Sequence, residues 1–240
     1  MATSASRPTL RFAFRAAAMD FYYQSIRLVP ANVALGGGLL AVLAIAIWLS
    51  PTLALVAAPL LCLPLVGIVR LAAEAVRGED VVLSDFTVAI RANGPAALAA
   101  GVAFLIATIV FATNAMAGIA ARGQTGWAFA TLAVWGLVAV WIFGLAFWPL
   151  LVDPARDATP LARRARLAAL VVLAEPLRFA GLGASLAVVA LISTVAFAAL
   201  LSVSVAFIAL VAARVVLPAA DALEERMASH TPIPGTADPT

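Results

Sequence analysis

The sequence has no lysine, one cysteine and one histidine among its 240 residues. The lone thiol, Cys62, excludes a disulfide within the chain. His230 lies in a proline-rich stretch near the C-terminus, so neither a histidine-based catalytic arrangement nor a histidine-based metal site can be assembled from this sequence. We therefore expect no catalytic residue, no metal and no cofactor, and a protein that is not an enzyme.

Charge is also scarce. Only 11% of the residues are charged, whereas 65% are hydrophobic and the mean hydropathy is +1.09. This is more apolar surface than one soluble core of this size can bury, so the composition predicts an all-α, polytopic transmembrane bundle. The 15 basic residues, all arginines, alternate with hydrophobic blocks and form no dense stripe. This pattern favours membrane lipids as partners and no nucleic acid.

Long intervals without charge predict the spans. The interval between Arg27 and Arg70 holds 42 residues and fits two spans, with a turn at Trp48 to Thr52. Two intervals of 30 residues fit one span each, and the 35 residues between Arg178 and Arg214 fit two short spans or one long one. The six-span interpretation, with its last turn near Leu200 to Ser204, places spans at about 29–49, 51–69, 95–113, 127–149, 181–199 and 203–217.

The arginines predict the orientation. Six spans leave an N-terminal segment 1–28, loops 70–94 and 150–180, and a disordered tail 218–240 on one side, together with every arginine except Arg122. Because short cytoplasmic segments collect arginine, both termini are expected in the cytoplasm and the protein in the inner (plasma) membrane. A five-span chain would follow this rule less well, with three arginines outside.

The stretch "GEDVVLSDF", residues 78–86, concentrates acids within the loop 70–94. Gly78 is expected to end one helix, Ser84 to begin the next, and "NGP" at 93–95 to stop it. This loop is a candidate surface for docking a cytoplasmic partner, formed by Arg77, Gly78, Glu79, Asp80, Asp85, Phe86 and Arg91. The alternatives are a solvated turn, or a carboxylate pair that acts on a lipid headgroup.

Two arginine-rich segments are candidates for contact with lipid headgroups. Within residues 7–27, Arg7, Arg11 and Arg15 are four apart beside an apolar face, as in a helix that lies along the membrane surface. Residues 161–180 begin with arginines, and the apolar run 167–174 that follows is too short to span, so a short interfacial or re-entrant helix is expected on the cytoplasmic side. The candidate headgroup ligands are Arg7, Arg11, Arg15, Arg163, Arg164 and Arg166.

Small residues recur every three positions in the fourth span, at Ala133, Gly136 and Ala139. Such a face allows a neighbouring helix backbone to come close. The neighbour is expected to be another helix of the same chain, with a second copy of the chain, and hence a homo-oligomer, as the alternative.

Several of these features resemble the YesL-like family of small bacterial membrane proteins. They are Asn32 early in span one, the "SP" turn at 50–51, and "LAAEAVRGEDVVLSDFTVAIRANGP" at 71–95. The resemblance implies an accessory protein associated with a carbohydrate uptake system, and thus a membrane transporter complex as partner. The alternatives are a carrier or permease subunit for a neutral solute, with a path lined by Asn32, Thr108 or Ser193, and an enzyme that modifies headgroups.

Overall fold

The computed structural model describes residues 9–196 and 203–229, and in these residues it contains helices and no strand. A short 3-10 turn, Ala58–Leu61, joins the second and third helices, and another, Pro154–Arg156, follows the fifth. The α-helices are α1 (Leu10–Trp48), α2 (Pro51–Ala57), α3 (Cys62–Arg77), α4 (Leu83–Ala121), α5 (Gly123–Leu151), α6 (Leu161–Ala174), α7 (Pro176–Val195) and α8 (Val205–Ser229).

Six helical segments are long and apolar enough to cross a membrane: α1, α2 with α3, α4, α5, α7 and α8. The predicted all-α membrane bundle is therefore confirmed. Short connections make α1, the α2–α3 segment, α4 and α5 antiparallel to one another in turn, so the bundle has two ends. We call the end with Arg77, Asp153 and Asp221 the charged end, and the end with Ser50 and Arg122 the far end.

Helix α8 lies at the centre of the bundle. In its most hydrophobic window 56% of the residues are buried, against 28% or less in the other five segments. It packs against α1, α3 and α5, and its buried side chains include Leu210, Val216 and Leu217. The outward faces of α4 and α5 instead expose large apolar residues such as Ile106 and Trp135. This distribution suits a bundle surrounded by lipid.

Helix α1 continues through the predicted boundary between the segment 1–28 and span one. Both Phe14 and Asn32 contact the first turn of α8, through a ring contact with Phe207 and a hydrogen bond from the Ala206 amide. A straight helix would separate Phe14 and Asn32 by about 27 Å. Helix α1 therefore bends, and Pro30, which lacks an amide donor, lies within it where a kink is expected.

Several predicted boundaries are wrong. "NGP" does not end a helix, because α4 runs through Pro95 to Ala121, and a membrane helix tolerates such a proline when its neighbours compensate for the lost bond. Helix α6 falls where a short helix is expected within loop 150–180, whereas α7 begins at Pro176, before the predicted 181, and residues 218–229 of the predicted tail extend α8. Residues 230–240, and 200–202 of the predicted last turn, lie outside the described residues.

Candidate functional site

One face of α3 carries three charged side chains at the charged end. Arg70, Glu74 and Arg77 are four and three residues apart, so they project from the same side of the helix. Arg70 Nε donates to Glu74 Oε1 at 2.6 Å. Glu74 is 4% exposed, and its other carboxylate oxygen is buried with no hydrogen-bond partner. These three residues are the α3 part of a larger arginine–carboxylate network. We call it the network, and its other members are Asp153, Arg156, Asp157, Asp221 and Glu224.

Arg77 joins three parts of the chain. Its Nε and Nη2 donate to the two carboxylate oxygens of Asp153, at 3.1 and 2.7 Å. Its Nη1 and Nη2 donate to the two oxygens of Asp221, at 2.6 and 3.1 Å. Forked pairing of this kind fixes orientation as well as distance, so Arg77 locks α3 to both the α5–α6 connection and α8.

Arg156 closes the network from the other side. It pairs with Asp153, and its Nη2 donates to Asp221 and Glu224 at 2.6 Å each. Asp153 is fully buried and Arg156 is 5% exposed. Burial acts to lower the pKa of Arg156, but the hydrogen bonds that it donates to Asp221 and Glu224 outweigh burial and raise the pKa above its ordinary value.

The connection between α5 and α6 is tied down by two further arginines. Arg70 Nη1 donates to both Asp157 carboxylate oxygens at 2.9 Å and to the Val152 carbonyl at 3.1 Å. Arg164, which is buried, donates to the backbone carbonyls of Leu151, Thr159 and Asp157. Burial lowers the pKa of Arg164. Both guanidinium groups thus donate hydrogen bonds to backbone carbonyls of this connection, where helical amide donors are lacking.

The network joins three parts of the chain by ion pairs within the protein. Each of its acids accepts a hydrogen bond from at least one arginine. Across the residues that the structure describes, no group of three His, Cys, Asp or Glu side chains could hold a metal ion. What the arrangement does is hold α3, the α5–α6 connection and α8 in one fixed relation.

The predicted docking residues divide into two groups. Arg77 is occupied by the network, and Gly78 ends α3 in the left-handed conformation with φ 76°. Asp85 accepts from the Val82 amide at 3.0 Å, so Val82, and not Ser84, precedes the first turn of α4. The ring of Phe86 packs over Gly67, where an added Cβ would come within 2.3 Å of the ring. These four residues shape the turn.

The other docking candidates remain open to solvent. Glu79, Asp80 and Arg91 are exposed. Three exposed apolar residues lie near them, in the turn between α3 and α4 and in the first turns of α4: Val82, Leu83 and Val88. We call these six residues the acidic patch. Its apolar members were not predicted from the sequence, although an exposed aliphatic run beside acids is a detectable signal.

The predicted headgroup ligands also divide. Arg11, Arg15, Arg163 and Arg166 are exposed, Arg164 is buried, and Arg7 lies outside the described residues. The donors of Arg164 are used by backbone carbonyls, so a headgroup role for it is wrong.

The small residues of α5 pack mainly within the chain. Ala133 is buried, and a Cβ on Gly136 would lie 2.4 Å from the Phe111 ring of α4. Ala139 is exposed and lines an apolar groove of about 560 Å³ between α4 and α5. The neighbour for Gly136 is thus a helix of the same chain.

Two of the three polar residues proposed to line a solute path lie beside the start of α8, and the third lies elsewhere. Asn32 is buried and accepts from the Ala206 amide at 2.9 Å, and Ser193 accepts from Ser204 at 2.6 Å. Thr108 is on an exposed face of α4. The first two sites satisfy buried polar groups around the start of α8, which is a structural role.

Sequence reasoning missed most members of the network, namely Asp153, Arg156, Asp157, Asp221 and Glu224. A signal for them exists. Asp153 and Asp157 are four apart and Asp221 and Glu224 three apart, and each pair follows an apolar segment at the charged end. Comparison with protein-family models, curated proteins and solved structures found no match to this chain.

Proposed function

We propose that this chain is a non-enzymatic accessory protein of the inner membrane, which docks a cytoplasmic part of a membrane complex on its acidic patch. The observation that carries the proposal is the contrast between two adjacent surfaces. The network holds α3 and its neighbours rigidly, whereas Glu79, Asp80 and Arg91 beside it are exposed. Charged residues held on a rigid frame, next to exposed aliphatic side chains, suit protein recognition.

The orientation and the partner class belong to the same proposal. The six-span interpretation puts every arginine except Arg122 on the side of the charged end, which favours a cytoplasmic location for that end and for both termini. The resemblance to the YesL-like family adds that the partner is a carbohydrate uptake system. The acidic character of the patch adds that the partner surface is basic.

Site-specific photo-crosslinking in intact cells tests the docking surface. Photoreactive residues at Val82 and Val88 should crosslink to a protein partner, whereas the same residue at Leu132 or Trp135, on the exposed face of α5, should not. The double substitution Glu79→Gln and Asp80→Asn should abolish co-purification of that partner in mild detergent. Glu225→Gln, an exposed acid outside the patch, is the control and should retain the partner.

A carrier would give a different result. Recovery of the protein alone, together with uptake of a neutral solute by liposomes that contain only this protein, would replace the docking proposal with the carrier. Headgroup turnover that disappears on changing Glu79 or Asp80 would replace it with an enzyme.

A further inference from the structure

Two arginines of α6 have no ion-pair partner in the part of the chain that the structure describes. Arg163 and Arg166 are exposed and three residues apart, so they project from neighbouring positions on one face of the helix. Arg164 lies between them in sequence and turns inward. The outward pair is thus available to an external anion.

These arginines border a groove between α6 and α8. Its volume is about 550 Å³, and it is lined by Arg163, Arg166, Leu167, Leu170, Glu224, Met227 and Ala228. Glu224 is the acid among them, and its carboxylate accepts from Arg156 at 2.6 Å. The groove therefore combines two unpaired cations at its rim with an apolar lining. We call it the α6–α8 groove.

The position of α6 indicates that lipid reaches this groove. Leu173 and Leu177, at the junction of α6 and α7, are 74% and 89% exposed. Two large leucines this exposed at the start of an apolar spanning segment suit contact with hydrocarbon, so we take the C-terminal end of α6 to lie at the membrane boundary. The arginine end is then at headgroup level, where basic pockets between membrane helices bind anionic lipids.

We propose that the α6–α8 groove binds one anionic phospholipid, with the phosphate between Arg163 and Arg166 and the upper acyl chain along Leu170 and Met227. A site of this kind differs from general attraction of basic residues to the membrane. Arg11 and Arg15 carry the same two charges on α1, without lining this groove.

Native mass spectrometry of the full chain in detergent, after delipidation, tests the proposal. The protein should retain added phosphatidylglycerol in preference to phosphatidylcholine. The double variant Arg163→Gln and Arg166→Gln should bind phosphatidylglycerol about 30-fold more weakly. The double variant Arg11→Gln and Arg15→Gln, with the same loss of charge, should bind it nearly as the unchanged chain does.

A variant that keeps both arginines provides a second test. Leu170→Trp fills the groove, and it should also weaken retention of phosphatidylglycerol. The proposal is overturned if the two lipids are retained equally, if both arginine double variants lose retention equally, or if Leu170→Trp has no effect. Displacement of phosphatidylglycerol by excess inorganic phosphate would instead assign the groove to a free anion.

Discussion

Asp153 is the residue on which the charged end depends most. Its carboxylate lies between the guanidinium groups of Arg77 and Arg156, and it also accepts from the Ala155 amide at 3.3 Å. A fully buried carboxylate is costly unless it is paired and hydrogen-bonded, and Asp153 meets both conditions. The two arginines depend on it in turn, because Asp221 is the one acid that they share besides it.

We expect Asp153→Asn to lower the free energy of unfolding by about 3 kcal/mol, since it removes the fully buried one of the two carboxylates that Arg77 and Arg156 share. The measurement is denaturation in detergent, followed by circular dichroism. Asp80→Asn is the matched control at an exposed position, and its effect should stay within about 0.5 kcal/mol. Equal stability of the two variants would show that the network contributes nothing to the fold.

The sequence predicts a side of the membrane for each arginine, but it does not predict the partner of any of them. Arg77 pairs with acids 76 and 144 residues away along the chain. Such pairs depend on how α3, the α5–α6 connection and α8 pack, and no local pattern encodes that packing. The turn after α3 could be predicted because its signal is local. A helix that ends in the left-handed conformation favours glycine at that position, and Gly78 is the glycine that follows Arg77.

At the scale of elements, the contact between α4 and α5 depends on glycine. Near the far end the two helices approach so closely that a Cβ on Gly118 would lie 2.7 Å from both the Ala130 amide nitrogen and the Gly126 carbonyl oxygen. Both neighbouring atoms belong to the backbone, so no change of side-chain conformation relieves the clash. Close backbone approach at small residues is how membrane helices gain packing without a hydrophobic driving force.

Gly118→Ala should therefore separate the two helices and lower the free energy of unfolding by about 1–3 kcal/mol. Gly37→Ala is the control, because it is also within a membrane helix but has nothing within 4 Å of the added Cβ. That substitution should be neutral or stabilising by about 0.5–1 kcal/mol, since alanine favours the helix. Denaturation in detergent compares them. A similar loss for both would contradict the close contact.

Helix existence could be predicted better than helix length. Each charge-free interval contains apolar helix, but α4 reaches 39 residues, about 58 Å, because it continues into the charged loop at one end and to Ala121 at the other. Its proline at position 95 was interpreted as a stop. In an isolated helix that proline would break a hydrogen bond, whereas in a bundle neighbouring helices offset the loss.

At the scale of the whole molecule, the ion pairs of the network constrain how many times the chain crosses the membrane. Asp221 and Glu224 of α8 contact Arg77 and Arg156, so the C-terminal part of α8 lies at the same end as the end of α3. Four candidate spans, α4, α5, α7 and α8, lie between Arg77 and Asp221, and an even number of crossings between them returns the chain to the same end of the bundle. Five crossings in all would place Asp221 across the membrane from Arg77.

Single-cysteine labelling in intact cells measures this arrangement. In a Cys62→Ala background, Asp80→Cys and Glu225→Cys should both resist a membrane-impermeant maleimide until the cells are opened, while Gln124→Cys at the far end should react at once. Agreement between positions 80 and 225 tests the even number of crossings, because a five-crossing chain would label only one of them. The contrast with position 124 tests the orientation, because rapid labelling at 80 with protection at 124 would invert the chain and expose the acidic patch on the outer face.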